Sequence, residues 1–445
     1  MGTSQSKNVD VDVEELRILK HTVVAPRAKN KHSFDVPEGV HTIGAKAFQG
    51  HRVIALTLPI TVTSIKEGAF HYCTGLTSLE LPKKLKHIGK NAFSRSNLQS
   101  ICLPDSLTTI SAYAFSECSR LTSLALPGDL KSIEKFAFSC CGRLTSLTLP
   151  ESVTNIDDYA FKECFGLTSL KFSTKMSTIG EGAFQRCTGL TSIMFSSNLK
   201  SISKFAFRRC SQLTAVSLPN CLTSIGEQSF LGCCSLTSIT LPNTLSDVGH
   251  MAFRECSSLA SLTLPPSLTS VSDGMCDRCH CLTSVGFPST LKSIGFAAFN
   301  DCSSLVSLVF PDTLTSIGFN AFCTCTSLTS ITLPLNLKNV GSGAFLHCAK
   351  LGTVRFHEPT TAFVIWAVGN SRHRTNWQIT TLKQSRNVLC LIAAFARGLT
   401  IDSVDPGGTK GVFRGCSILN GPILMSHTIA SPTVYMRLSK CDIYP

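Results

Sequence analysis

The phrase Leu-x-x-Leu-x-Leu-Pro returns about every 23 residues through most of this chain, and it brings a fixed schedule of side chains with it. Counting from Phe138, Cys141 follows at +3, Leu144 at +6, Leu147 at +9, Leu149 at +11 and Pro150 at +12. Val153 and Ile156 come at +15 and +18, and Phe161 restarts the cycle. A constant period of this length means stacked copies of one small unit. No single unit can bury its own apolar side, so each turn of the coil completes the core of its neighbours. A length of 445 residues would otherwise suggest two or three globular domains, but the repeat replaces that expectation with a solenoid.

The aromatic slot is filled at Phe48, Phe70, Phe93, Phe115, Phe138, Phe161, Phe184, Phe207, Phe230, Phe253, Phe299, Phe322 and Phe345, with Cys276 where the missing member belongs. That gives 14 slots, spaced by 23 residues except for 22 after Phe48 and after Phe93. Leu144, Leu147 and Leu149 read as a short strand of a parallel sheet, with alternate side chains inward. Pro150 ends the strand at a corner, and Val153 and Ile156 pack the return. Glycine after the Ile, as at Gly89, Gly180, Gly226, Gly295 and Gly318, permits a tight or left-handed turn. Ala-Phe is expected to start a brief helical turn. The fold class predicted is an α/β solenoid with a parallel sheet on its concave face.

Twelve units carry cysteine at +3: Cys73, Cys118, Cys141, Cys164, Cys187, Cys210, Cys233, Cys256, Cys279, Cys302, Cys325 and Cys348. The two short units have His51 and Ser96 there instead. Losing one residue and losing the thiol go together, so the thiol fits a particular backbone turn as a small buried hydrophobe. The cluster Cys276-x-x-Cys279-His280-Cys281 invites a zinc reading, but zinc needs four converging ligands, and ladder thiols belong to separate turns. Structural thiols and no metal or cofactor are expected. Cys140, Cys234 and Cys323 flank the ladder as more exposed thiols. Twenty-two cysteines, twelve of them in a regular unpaired ladder, and no secretory signal point to a reducing, cytosolic compartment.

Outward strand positions form a stripe of small hydroxyls. The candidate interaction face is Ser78, Ser146, Thr148, Ser169, Ser192, Ser238, Thr240, Ser261, Thr263, Ser307, Ser330 and Thr332. It lacks the Trp, Tyr and Arg that dominate binding hot spots, and Ser and Thr also serve as soluble strand residues. No nucleophile elbow, zinc-protease helix, phosphate loop or kinase signature occurs. The formal charge of +13 is scattered, with short runs at Lys83-Lys84 with Lys86 and at Arg208-Arg209. It reads as a solvated face, and no specific nucleic acid is predicted.

The N-terminus, Met1-Gly2-Thr3-Ser4-Gln5-Ser6, fits the acylation pattern that places myristate on Gly2 and lacks the apolar core of a secretory signal. A single acyl chain supports only weak membrane association. Residues 1–30 are read as a flexible segment and the start of a cap, and residues 31–356 as the solenoid. Residues 357–445 are read as a C-terminal cap with an insertion and a degenerate repeat near 399–424, around Phe413.

The unit from Cys141 to Phe161, Cys-x-x-Leu-Thr-Ser-Leu-Thr-Leu-Pro-x-x-Val-Thr-x-Ile-x-x-x-Ala-Phe, closely resembles the BspA-type leucine-rich repeat. The resemblance covers about residues 34–356. It implies a right-handed leucine-rich-repeat coil and, in many relatives, surface roles in adhesion or recognition of host or matrix proteins. It brings no catalytic residues. The expectation drawn from residues and resemblance together is a non-catalytic scaffold for an unidentified protein partner. It is placed in the cytoplasm, with Gly2 as the tether to the inner membrane leaflet if acylated. The alternative is a surface-exposed recognition protein of BspA type. An enzyme would need a pocket between the last turns and the C-terminal cap, built on His373, Arg374 or Cys416.

Overall fold

The computed structural model describes residues 16–26, 31–334 and 336–356, together with the backbone of strands at Val364–Gly369, Thr375–Thr380 and Thr433–Tyr435. It divides into two compact units, Met1–Pro242 and Asn243–Pro445.

In the first unit the Leu-x-Leu segments pair in parallel and in register. Ser146, Leu147 and Thr148 lie beside Ser169, Leu170 and Lys171, and Ser192 beside Ala215 and then Ser238. The returning segment forms a second, narrower parallel ladder. Thr109–Ile110, Ser132–Ile133, Asn155–Ile156 and Thr178–Ile179 stack side by side, one pair of residues per turn. A β-branched residue at each inward site suits a strand, and Ile133 and Ile156 are fully buried. The second unit repeats both ladders, with Ser261 beside Ser284 and Ile294 beside Ile317. A hairpin of Leu16–Leu19 and Thr22–Pro26 opens the first unit. Lys20 and His21 turn it at positive φ, and its second strand pairs with the first rung, Thr22 beside Thr42.

The helical turn expected at Ala-Phe is absent: among the described residues there is no helix, so the fold is an all-β solenoid rather than an α/β one. The backbone shows why. In every unit the residues two before and two after the aromatic slot have positive φ, as Phe136 and Cys140 do around Phe138. Left-handed residues cannot sit inside a right-handed helix. Successive N–H groups therefore point alternately within the turn and to the next one. Phe136, Phe138 and Cys140 donate to Asp158, Ala160 and Lys162 of the following turn, at 3.0, 2.8 and 2.7 Å. Ala137, Ser139 and Cys141 donate three residues back, to Glu134, Phe136 and Phe138. The two left-handed sites take glycine only at Gly50, Gly68, Gly182, Gly232, Gly274 and Gly343. Elsewhere a strain of about 1–2 kcal/mol per residue is offset by these inter-turn bonds.

The glycines after the Ile also act differently from expectation. They are not left-handed. A Cβ on Gly226 would lie 2.5 Å from the backbone nitrogen of Lys204, and one on Gly180 would lie 2.5 Å from the carbonyl carbon of Asp157. Close approach of successive turns, not positive φ, favours glycine there.

Candidate functional site

The interior is built from two columns that rise together. Slot rings from Phe48 to Phe230 stack face to face, with centroids 5.1–5.7 Å apart and planes within 11°. That spacing follows the separation of neighbouring strands. Where Phe ends the strand in place of Leu, as at Phe172 and Phe195, its ring meets the slot ring of the next turn edge-on. In the second unit Phe299, Phe322 and Phe345 stack at 5.2 and 5.4 Å.

Beside the rings runs the thiol ladder, and each rung has the same partner. Cys141 Sγ donates to the carbonyl of Phe115 at 3.2 Å, Cys164 to Phe138 at 3.3 Å, and Cys187 to Phe161 at 3.2 Å. Cys73, Cys118, Cys210, Cys233, Cys279, Cys302, Cys325 and Cys348 repeat the bond to the slot residue of the preceding turn. Cys256 is buried in the same register. Burial pushes Cys73 up to about 12 and Cys118 up to about 11, and pushes Cys141, Cys164, Cys187 and Cys210 well above the ordinary thiol range. Thiols held protonated in this way are neither nucleophiles nor metal ligands. In the short units, Ser96 is buried with its Oγ 3.4 Å from Cys118 Sγ. His51 packs edge-on to Phe34, and burial, then His32, lowers its pKa.

At the break in the aromatic column the structure reveals a paired exchange that the repeat count overlooked. Every other slot follows a small residue, Ala or Ser, but Cys276 follows Met275, and both are fully buried. The larger Met takes up volume that the smaller slot residue gives away. The sequence signal was there: one unit departs from the pattern at two adjacent sites in opposite directions. The neighbouring residues do not converge on a metal. Cys276 and Cys279 are buried, whereas Cys281 is exposed and His280 faces the Asp301 carbonyl at 3.1 Å. Among the described residues no group of three or more His, Cys, Asp and Glu is arranged to hold a metal ion. Of the flanking thiols, Cys234 is exposed and Cys140 half-buried, but Cys323 is buried.

The hydroxyls divide into two kinds. Those at the strand entrance are used internally: Thr145, Thr168 and Thr214 donate to the carbonyls of Thr122, Thr145 and Thr191 of the turn before. The corner hydroxyl of Ser152 reaches two carbonyls, Gly128 and Leu130, both at 2.6 Å. The strand row is different. Ser78, Ser146, Thr148, Ser169, Ser192, Ser238, Thr240, Ser261, Thr263 and Ser307 are exposed, and Ser330 and Thr332 half-buried. None of the twelve makes a side-chain hydrogen bond among the described residues. Beside Thr240 lies an open hollow of about 220 Å³ lined by Val216, Ser217, Leu218, Asn220, Thr240 and Pro242.

Gly2, the residues His373, Arg374 and Cys416, and the repeat echo at Phe413 lie outside the described residues. No described helix is long and apolar enough to cross a membrane.

The sequence profile described as BspA type Leucine rich repeat region (6 copies) matches residues 41–168, 154–280 and 269–381. A leucine-rich repeat protein from Bacteroides ovatus, known by crystal structure, is 32% identical, with a TM-score of 0.60 over 78% of this chain and 94% of that one. A leucine rich cell surface protein from Faecalibacterium prausnitzii is 22% identical, with a TM-score of 0.37 over 76% of this chain and 91% of that one. The pneumococcal vaccine antigen PcpA is 21% identical, with a TM-score of 0.42 over 76% and 89%. No curated protein matches the chain.

The cytoplasmic, inner-leaflet placement expected from the sequence is corrected here. Most of the ladder thiols that argued for a reducing compartment are sealed inside the coil, with Cys141 and Cys164 bonded to backbone carbonyls of the preceding turn. Free thiols so enclosed do not depend on the redox state outside. The profile spans residues 41–381 and identity to a solved relative reaches 32% over 78% of the length; this chain belongs to the BspA-type leucine-rich-repeat family.

Proposed function

We propose that this protein is a non-catalytic recognition solenoid, displayed at a surface, that binds a protein partner through its coil. One observation carries the reading: an exposed, in-register row of hydroxyls whose side chains make no hydrogen bond among the described residues. Hydroxyls at neighbouring positions are tied to carbonyls of the preceding turn, so the row stands apart as donor and acceptor capacity directed outward. It offers a flat strip of hydrogen-bonding groups across adjacent rungs, suited to a broad contact of modest strength. Membership of the BspA-type family supports the interaction role.

The test has two arms. Protease treatment of intact cells should cleave the protein while a cytoplasmic marker survives. Binding to a panel of purified extracellular matrix proteins should yield at least one partner whose affinity falls when Ser146, Ser169 and Ser192 are each changed to Arg. Full protection from protease on intact cells sinks the surface reading. An unchanged affinity in the triple variant removes the strand row from the contact.

A further inference from the structure

The strand row is nearly neutral, and the charge of the first turns lies elsewhere. Between Val36 and Leu103 the chain has six lysines and two arginines against three carboxylates, Glu38, Glu67 and Glu80. Glu80 belongs to the long-strand segment. The lysines gather on and beside the second ladder: Lys83, Lys84 and Lys86 on its approach, and Lys66 and Lys90 just after it. With Lys20 of the hairpin turn, these six are exposed, and none is ion-paired among the described residues. Within this segment Arg95 pairs with Glu117, and beyond it Lys135 pairs with Asp158, Arg186 with Glu163 and Lys204 with Glu181.

Lys86 belongs to a fixed rank of residues that lead into the second ladder. His41 donates its backbone N–H to the His21 carbonyl at 2.9 Å, Thr63 to His41 at 2.9 Å, and Lys86 to Thr63 at 2.9 Å. The side chains of His21, His41, Thr63 and Lys86 therefore occupy equivalent sites on four successive strands. His21 and His41 are in edge contact, with ring centroids 5.3 Å apart. Thr42, Ser64 and His87 make a second rank beside them. At the corner leading into this face, Pro59-Ile60 on one turn corresponds to Pro82-Lys83 on the next. Ile60 is 57% exposed, so a bare apolar side chain stands beside the lysine group.

We propose that the second-ladder face of these first turns docks an acidic segment of a protein partner. Carboxylates of that segment would lie against Lys83, Lys84 and Lys86, and an apolar side chain against Ile60. The inference rests on the recognition reading above and names a different face and a partner chemistry for it. Exposed lysines as close in sequence as Lys83, Lys84 and Lys86 raise the local concentration of an anionic partner, an attraction that salt screens. An isolated polyanion would use the cations alone. The exposed Ile60 is what favours a peptide that carries both carboxylates and an apolar anchor.

The experiment uses the full chain and a short labelled peptide alternating Glu and Leu, read by fluorescence anisotropy at low and high salt. Parallel titrations use a sulfated polysaccharide and vesicles of anionic phospholipid. The peptide should bind, and added salt should weaken it. Changing Lys83, Lys84 and Lys86 together to Glu should cost about tenfold or more, and to Gln somewhat less. Ile60→Ser should cost up to about tenfold. Arg substitutions at Ser146, Ser169 and Ser192 should leave peptide affinity unchanged. The proposal is overturned if the peptide does not bind or if the Lys→Glu variant binds it equally well. It is overturned too if Ile60→Ser is silent while polysaccharide or vesicles bind at least as tightly, which would make the face a general polyanion site. Loss of binding only in the strand-row variant would move recognition back to the long strands, leaving the recognition reading intact.

Discussion

The Phe-Cys columns inside the coil and the Ser/Thr row on the long strands share one register, yet they meet opposite conditions. Each core rung finds its partner on the neighbouring turn: ring on ring at 5.2 Å for Phe115 and Phe138, and thiol on carbonyl at 3.2 Å for Cys141 and Phe115. The strand row has the same periodicity and no side-chain hydrogen-bond partners among the described residues. Regularity in a repeat thus arises from two causes. In the core it reflects mutual satisfaction between turns, and changing one rung disturbs two neighbours. On the strand face no neighbouring turn demands it: a small hydroxyl suits each pleat and is left exposed.

The largest effect should come from a core rung. Phe138→Ala removes a ring fully buried between Phe115 and Phe161, and should cost about 3–5 kcal/mol in chemical denaturation. The damage should reach both adjacent turns, seen as faster amide exchange at Phe115 and Phe161. A loss below about 1 kcal/mol would mean that the column is not the cooperative spine it resembles. The Met275-Cys276 break tests the same idea in reverse. Cys276→Phe alone should overpack the site and cost about 1–3 kcal/mol, while adding Met275→Ala should recover most of it. The double-mutant cycle measures the coupling, and additive effects would refute the exchange of volume.

Much of this fold was legible because core periodicity leaves its mark on every turn: the slot, the thiol and the strand leucines all lie where the spacing placed them. Two features were not. The Ala-Phe segment looked helical, because Ala and the apolar spacing favour a helix, but the left-handed sites around it are occupied by residues such as Tyr72, Arg95 and Glu163 that carry no compositional signal. Their conformation is imposed by hydrogen bonds to the next turn, which local propensity does not report. The second ladder also escaped notice, since two residues per turn are too short for an alternating pattern. For the candidate site, the sequence located the exposed row at Ser146, Ser169 and Ser192. It did not separate those hydroxyls from Thr145 and Thr168 beside them, whose bonds to the preceding turn depend on the stacking itself.

The thiol ladder gives a third prediction with its own pH signature. Burial raises these thiols in the folded chain, to about 12 for Cys73 and about 11 for Cys118, against 9.0 for an exposed thiol. Below pH 9 both states hold the proton and the ladder's contribution is complete. Above it, the unfolded chain releases protons that the folded chain keeps, so stability is lost as pH rises toward the folded values. Each such thiol contributes a slope of about 1.4 kcal/mol per pH unit in that window. Denaturation midpoints measured from pH 8 to 11 should fall steeply, and Cys118→Ser should flatten the fall. An identical pH profile in the variant would mean that the thiol is not buried as a rung.

The smallest effect on stability is expected on the strand row, and there the comparison is sharpest. Ser146→Ala, Ser169→Ala and Ser192→Ala remove exposed hydroxyls with no hydrogen bond among the described residues, so each should change stability by no more than about 0.5 kcal/mol. Thr168→Ala, one residue before Ser169, removes a bond of 3.1 Å to the Thr145 carbonyl and should cost about 0.5–1.5 kcal/mol. Thermal denaturation of the four variants checks the ordering. If the alanine variants at 146, 169 and 192 proved as costly as Thr168→Ala, the row would be part of the scaffold, and its hydroxyls would not be spare capacity for a partner. If they are silent in stability and active in binding, then adjacent hydroxyls in one repeat serve different ends, with the one before the strand tying turns together and the one on it left for recognition.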